Sequence, residues 1–157
     1  MFDFFKKEKA LNAVTKGDVI DISTVEDAVF SKKLLGEGFA IIPQSDDFFS
    51  PASGTISDVA ETLHAYCITT DDGLEVLVHI GIDTVELKGN HFTPLVKKGQ
   101  KVNSGTPIAR ASLEKIKNAG YKTTTMVVVT NPETLKTFKT VPQNSATIGT
   151  KAFIYKT

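Results

Sequence analysis

Two of the chain's three histidines, His64 and His79, bracket the segment "HAYCITTDDGLEVLVH". Neutral imidazole offers a nitrogen lone pair at physiological pH, because its ordinary pKa is about 6.5. Two such rings held side by side can share a phosphoryl group or a metal ion. Either use requires the chain to fold back so that the ends of the segment meet.

Thr70-Asp71-Asp72-Gly73 supplies a turn between two β-type runs, so a hairpin is expected. Loop chemistry leaves the register open. A two-residue loop at Asp71-Asp72, or a four-residue loop ending at Gly73, sets His64 opposite His79. A three-residue loop with Gly73 as a bulge sets Ala65 opposite His79 and sends the rings to opposite faces. Apolar patterning selects the first register: Leu74, Val76 and Val78 form one row, matched by Leu63, Ala65 and Cys67. Opposed Cβ atoms then lie roughly 4.5–5.5 Å apart. Thr62 points to the same face, where its hydroxyl can hold a ring nitrogen of His64 and fix the tautomer. Tyr66 and Leu77 come next on that face, an apolar surface suited to partner docking.

The elements that must position these residues are mostly strands. Short apolar-alternating runs separated by Gly, Pro, Asp and Asn are expected as strands at 18–22, 39–42, 54–60, 64–69, 74–80, 106–110, 124–129 and 147–155. Helical signals are few. "TVEDAVFSKKLLG" offers one or two turns, with Thr24 and Asp27 as caps and Gly36 as a stop. "SLEKIKNAG" reads as a short helix from the Ser112 cap to Gly120, and "NPETLKTF" places Asn131 at a cap with Pro132 after it. The expected fold is therefore all-β, a flattened antiparallel sandwich or barrel with a few short helical turns.

The chain has 157 residues, a one-domain length, and no linker divides it. We expect an N-terminal tail over 1–11 and one domain over 12–157. Lys and Arg balance Asp and Glu at eighteen each, which argues against nucleic acid as a partner. Cys67 is the only cysteine, consistent with a reducing, cytoplasmic setting. No apolar run approaches the length of a membrane span. Met1, Phe2, Phe4 and Phe5 precede Lys6, Lys7 and Lys9, so membrane contact, if any, would be a peripheral tether at this end.

"LVHIGIDTVELKG" resembles the active-site signature of the glucose-type IIA component of the bacterial phosphoenolpyruvate-dependent sugar phosphotransferase system. "ETLHAY", "EDAVFSKKLLGEGFAIIP", "SPASGTI" and "VKKGQKVNSGTPI" resemble further stretches of that family, in the right order, over about residues 12 to 156. The resemblance implies that His79 carries a phosphoryl group, that His64 is the second active-site histidine and that Thr62 orients it. HPr, the small histidine phosphocarrier, would be the donor. A IIB-domain cysteine of a sugar permease would be the acceptor, and regulatory protein targets could share the surface. Val29, Phe30, Leu77 and Val85 occupy positions resembling the family's apolar docking rim, and Asp27 and Asp83 could present negative charge to a basic partner. No cofactor is implied. There are departures: "AVTKGDV" lacks a usual proline, and Ala52 and Ala60 stand where larger apolar residues are common. His91 in "GNHF" is assigned no role.

Two rival functions are weighed against this. A zinc hydrolase needs a third protein ligand, and none is evident near the histidine pair, although zinc could bind weakly between His64 and His79. A lipoyl- or biotinyl-type binding module is suggested by the "GQKVNSGTPI" hairpin, but no lysine sits in the tight turn that such a module modifies.

Overall fold

The computed structural model describes residues 8–157. The strands are β1 (Lys9–Asn12), β2 (Gly17–Asp21), β3 (Glu37–Pro43), β4 (Asp47–Phe49) and β5 (Gly54–Val59). Next come β6 (Ala65–Thr70), β7 (Glu75–Ile80), β8 (Phe92–Pro94), β9 (Lys101–Val102) and β10 (Pro107–Ala111). The last are β11 (Thr125–Val129), β12 (Thr137–Thr140), β13 (Gln143–Ala146) and β14 (Lys151–Lys156). Two short helices, α1 (Ala28–Ser31) and α2 (Leu113–Asn118), interrupt them.

An eight-stranded sheet runs β13-β2-β3-β11-β7-β6-β5-β9. Two three-stranded sheets, β1-β14-β12 and β4-β10-β8, pack against it. Every pairing described is antiparallel. The sheets stay open, so the sandwich half of the expected sandwich-or-barrel fold is the one found. All three sheets feed one main core: Tyr66, Val76 and Val78 from the large sheet, Phe153 from β14, Phe48 and Ile108 from the third. Each fully buried side chain of this size stabilises by about 1.5–3 kcal/mol.

β11, "TMVVV", explains how one sheet serves two cores. All five residues are buried. Val127 and Val129 enter the main core, while Met126 and Val128 face the opposite side. There a second cluster forms with Ala40, Ile82, Ile22, Val25 and Phe30, the last three from the segment between β2 and β3. Period-2 alternation on a β-branched strand thus sorts its side chains onto two covered faces.

The helix caps are partly as expected. Asp27 accepts a bond from Val29 N at the start of α1, and Ser112 does the same for Lys115 N at α2. Thr24 instead closes a 3-10 turn, Ile22–Thr24, that Asp21 caps. Asn131 makes no side-chain cap; its amide bonds Glu75 N and Gly73 O and so braces the β6–β7 turn. The tail boundary also shifts. Lys9, Ala10 and Leu11 pair with β14, and Leu11 is buried in the main core, so ordered pairing starts before residue 12. The tether expected of Met1, Phe2, Phe4, Phe5, Lys6 and Lys7 lies outside the described residues. Among the described residues no helix is long and apolar enough to cross a membrane.

Candidate functional site

The hairpin that carries the histidines adopts the register that the apolar rows argued against. Ala65 pairs with His79 and Cys67 with Leu77. Thr70 N donates to Leu74 O, which leaves Asp71, Asp72 and Gly73 as a three-residue loop with Gly73 at φ +93°. This is the bulged loop that glycine's tolerance of positive φ permits. The buried row of β6 is Tyr66, Ile68 and Thr70, not Leu63, Ala65 and Cys67. It pairs with Val76 and Val78, and one slipped residue exchanges the faces. Tyr66 therefore lies in the core rather than beside the site. Its hydroxyl has no hydrogen-bond partner among the described residues, and burial pushes its pKa up to about 12.

The two rings meet nonetheless. Their centroids are 4.8 Å apart and the planes are T-shaped at 84°. His64 escapes strand alternation because it precedes β6. Leu63 N donates to Ala60 O in a turn, and Leu63 itself has φ +62°. That left-handed residue re-aims the chain just before pairing starts. The His64 carbonyl then accepts from Ile80 N, which ties the bend to the end of β7. His79, by contrast, lies within the ladder, between Ala65 of β6 and Met126 of β11.

Each ring has one nitrogen engaged. His79 Nδ1 lies 2.8 Å from the Gly81 carbonyl. A carbonyl only accepts, so Nδ1 carries the proton and Nε2 of the neutral ring carries the lone pair. Gly81 sits at φ +83° in the turn after β7. His64 Nδ1 lies 2.8 Å from the Thr62 hydroxyl, which can donate or accept and so suits either tautomer.

Electrostatics keep both rings neutral. Burial lowers the His64 pKa, opposed by hydrogen bonding to the Thr62 backbone. His79 is pushed down to about 4, first by burial and then by His64, against the Gly81 bond and the charges of Asp27 and Asp83. Part of that burial comes from Phe30, whose ring centroid is 5.0 Å from that of His79. A desolvated cation is disfavoured, so the unprotonated rings dominate at neutral pH.

The comparisons with known proteins agree with one another. Residues 9–135 match the family described as phosphoenolpyruvate-dependent sugar phosphotransferase system, EIIA 1. This chain belongs to that family.

Among its EIIA 1 relatives, the chain is 46% identical over 127 residues to the PTS system glucose-specific EIICBA component of Streptococcus pneumoniae. That match covers 81% of the chain but only 18% of the longer streptococcal protein. It is 42% identical over 147 residues to the PTS system glucose-specific EIIA component of Buchnera aphidicola, covering 93% of the chain and 89% of the relative. Among solved structures, glucose permease IIA from Mycoplasma capricolum superposes with a TM-score of 0.86 at 35% identity, covering 98% of this chain and 99% of that one.

The remaining residues expected at the site divide by exposure. Val29 is 43% exposed and Val85 47%, so both offer apolar surface. Leu77 is half-buried and packs on the second cluster. Phe30 is buried against His79, which makes it part of the ring's walls rather than an open rim. Asp27 caps α1, whereas Asp83 is exposed at φ +60° and caps nothing with its side chain. Sequence reasoning missed the Phe30 contact and the Met126 pairing. The available signal was the apolar Phe30 three residues after the Asp27 cap. Among the described residues, no group of three His, Cys, Asp or Glu side chains could hold a metal ion. With both Nδ1 atoms engaged, the pair offers zinc two nitrogens of the four ligands it prefers. His91 is exposed and directly precedes β8.

Proposed function

We propose that His79 is the phosphoryl carrier of a sugar phosphotransferase relay. Nε2 attacks the phosphorus of phospho-HPr; the new N–P bond forms as the bond to the HPr imidazole breaks, and that ring keeps the electron pair. A IIB-domain cysteine thiolate then takes the group from His79 in the same in-line manner. Such transfers depend on positioning and charge stabilisation more than on proton chemistry. The observation that carries the reading is the His79 ring: Nδ1 is held by Gly81 O and its centroid lies 4.8 Å from that of His64. Membership of the EIIA 1 family and relatives named as glucose-specific EIIA components support it.

His64 stays unphosphorylated in this reading. With Nδ1 accepting from Thr62, its Nε2–H donates to a phosphoryl oxygen as negative charge develops. Val29 and Val85 form the apolar part of the docking surface for HPr and IIB, with Leu77 beneath. Asp27 and Asp83 add negative charge that steers a basic partner face toward the site. Such a relay works on the cytoplasmic side, where its donor and acceptor meet. Purified protein incubated with phosphoenolpyruvate, Enzyme I and HPr should gain one acid-labile phosphoryl group, mapped to His79 by mass spectrometry. No gain, or a gain at His64, would overturn the proposal.

A further inference from the structure

We infer that Thr84, buried beneath the turn that follows β7, is a positioning residue that sets which ring nitrogen of His79 is free to react. The carbonyl that holds Nδ1 belongs to Gly81, a residue with φ +83° and no side chain to anchor it. Thr84 anchors it from below. Its side chain is fully buried, and its hydroxyl donates to Ile80 O at 2.5 Å, spanning the turn. Its methyl carbon fills the space where a Gly81 Cβ would stand, at 2.4 Å, with its hydroxyl oxygen 3.2 Å from the same point. Ile82 N donates to Lys122 O and closes the turn from the other side. Gly81 thus has one place to sit, and its carbonyl one direction to point. A buried hydroxyl is tolerated here because its hydrogen bond is made within the turn itself.

The consequence is chemical selectivity. Neutral imidazole interconverts between two tautomers, and the hydrogen bond at one nitrogen decides which is populated. If the Gly81 carbonyl swings away, both nitrogens compete for the proton and the reactive lone pair is no longer confined to Nε2. The link to phosphoryl transfer rests on the reading of His79 given above; the tautomer lock does not.

The test compares Thr84→Val, which keeps the shape and removes the hydroxyl, with Thr84→Ser, which keeps the hydroxyl. Nitrogen-15 spectra of the histidine side chains, taken without any phosphoryl donor, should show one pyrrole-like and one pyridine-like nitrogen for His79 in the native protein and in Thr84→Ser. Thr84→Val should show averaged shifts for the two nitrogens, and its rate of acceptance from phospho-HPr should fall by about tenfold or more, the range that outer-shell histidine partners command in metal sites. Should Thr84→Val not fold, Thr84→Ala is read in the same way. An unchanged tautomer in the hydroxyl-free variant, or a lost one in Thr84→Ser, would overturn the inference. A native protein that shows the locked tautomer yet takes no phosphoryl group would instead sink the relay and leave the role of Thr84 standing.

Discussion

At the turn end of the β6–β7 hairpin, Asp72 accepts from Tyr155 OH at 2.7 Å, from the Thr70 hydroxyl and from the Lys9 ammonium at 3.3 Å. At the opposite end, His64 and His79 each engage one nitrogen and, among the described residues, leave the other without a protein partner. The same two strands thus end in a closed polar network and in an open one. The closed end ties β1 and β14 to the hairpin and spends its hydrogen-bonding capacity on stability. The open end holds capacity in reserve for a ligand, at the cost of burying polar rings that lack full partners.

Substitutions that exchange these roles should break the comparison. His79→Gln should abolish acceptance from phospho-HPr, read as loss of the acid-labile mass gain, with the fold retained. His64→Gln should keep that gain but slow donation to IIB by roughly 10²–10³, the usual loss for one transition-state hydrogen-bond donor. Loss of acceptance in a folded His64→Gln protein would contradict the division of labour between the rings.

Acid should distinguish the two ends by titration. The His79 pKa is depressed to about 4 from 6.5, so the unfolded chain binds more protons between those values. Stability contributed by neutral His79 is therefore full above about 6.5 and declines as pH falls toward 4, by at most roughly 3 kcal/mol. The acid limb of phosphoryl acceptance should lie well below the ordinary histidine range. Asp72 behaves in the same sense but in a more acidic window. Burial works to raise its pKa, but bonds from Thr70, Tyr155 and Lys9 prevail and hold it below the usual 3.8. Its contribution is present above that value and is lost only in stronger acid. Denaturant melts from pH 7 to pH 3 would show the two declines in that order.

Smaller effects sharpen the contrast. Asp72→Ala should lower stability by about 1–3 kcal/mol by leaving the Tyr155 hydroxyl unpaired, with acceptance at His79 unchanged. Thr62→Val should leave acceptance intact and slow donation less than His64→Gln does, since it frees the helper ring without removing it. Equal losses in the two variants would mean that Thr62 acts on more than ring orientation.

Much of the fold was legible because alternating strands advertise themselves. The long central strands β3, β5, β6, β7 and β11 fall within a few residues of the expected runs. The short strands β1, β4, β8, β9, β12 and β13 were not, because segments of two to four residues such as "DFF" or "TFKT" carry too few alternations to show a period. The expected strand over 147–155 begins only at Lys151, since Thr147 and Thr150 close a turn first. Within the site, the meeting of His64 and His79 and the contact of Thr62 with His64 were legible, and the register was not. The apolar rows misjudged the register because Tyr66 was placed on the exposed apolar face beside the site, whereas it is wholly buried. The meeting of the rings then came from a feature that periodicity does not encode, a left-handed Leu63. Phe30 was expected on the docking rim, yet a four-residue helix turns it inward against His79.

The placement of His79 within the ladder and of His64 ahead of it has a mechanical corollary. If His79 carries the phosphoryl group as proposed, that load would bear on a residue paired with strands on both sides, Ala65 of β6 and Met126 of β11. His64 sits on a short bend over residues 60–63, held to the sheet by Ala60 N to Ala65 O and Ile80 N to His64 O, so its aim is set by the bend rather than by strand alternation. In the proposed relay, acceptance would then depend on a ring set by the ladder and delivery on a ring set by a turn.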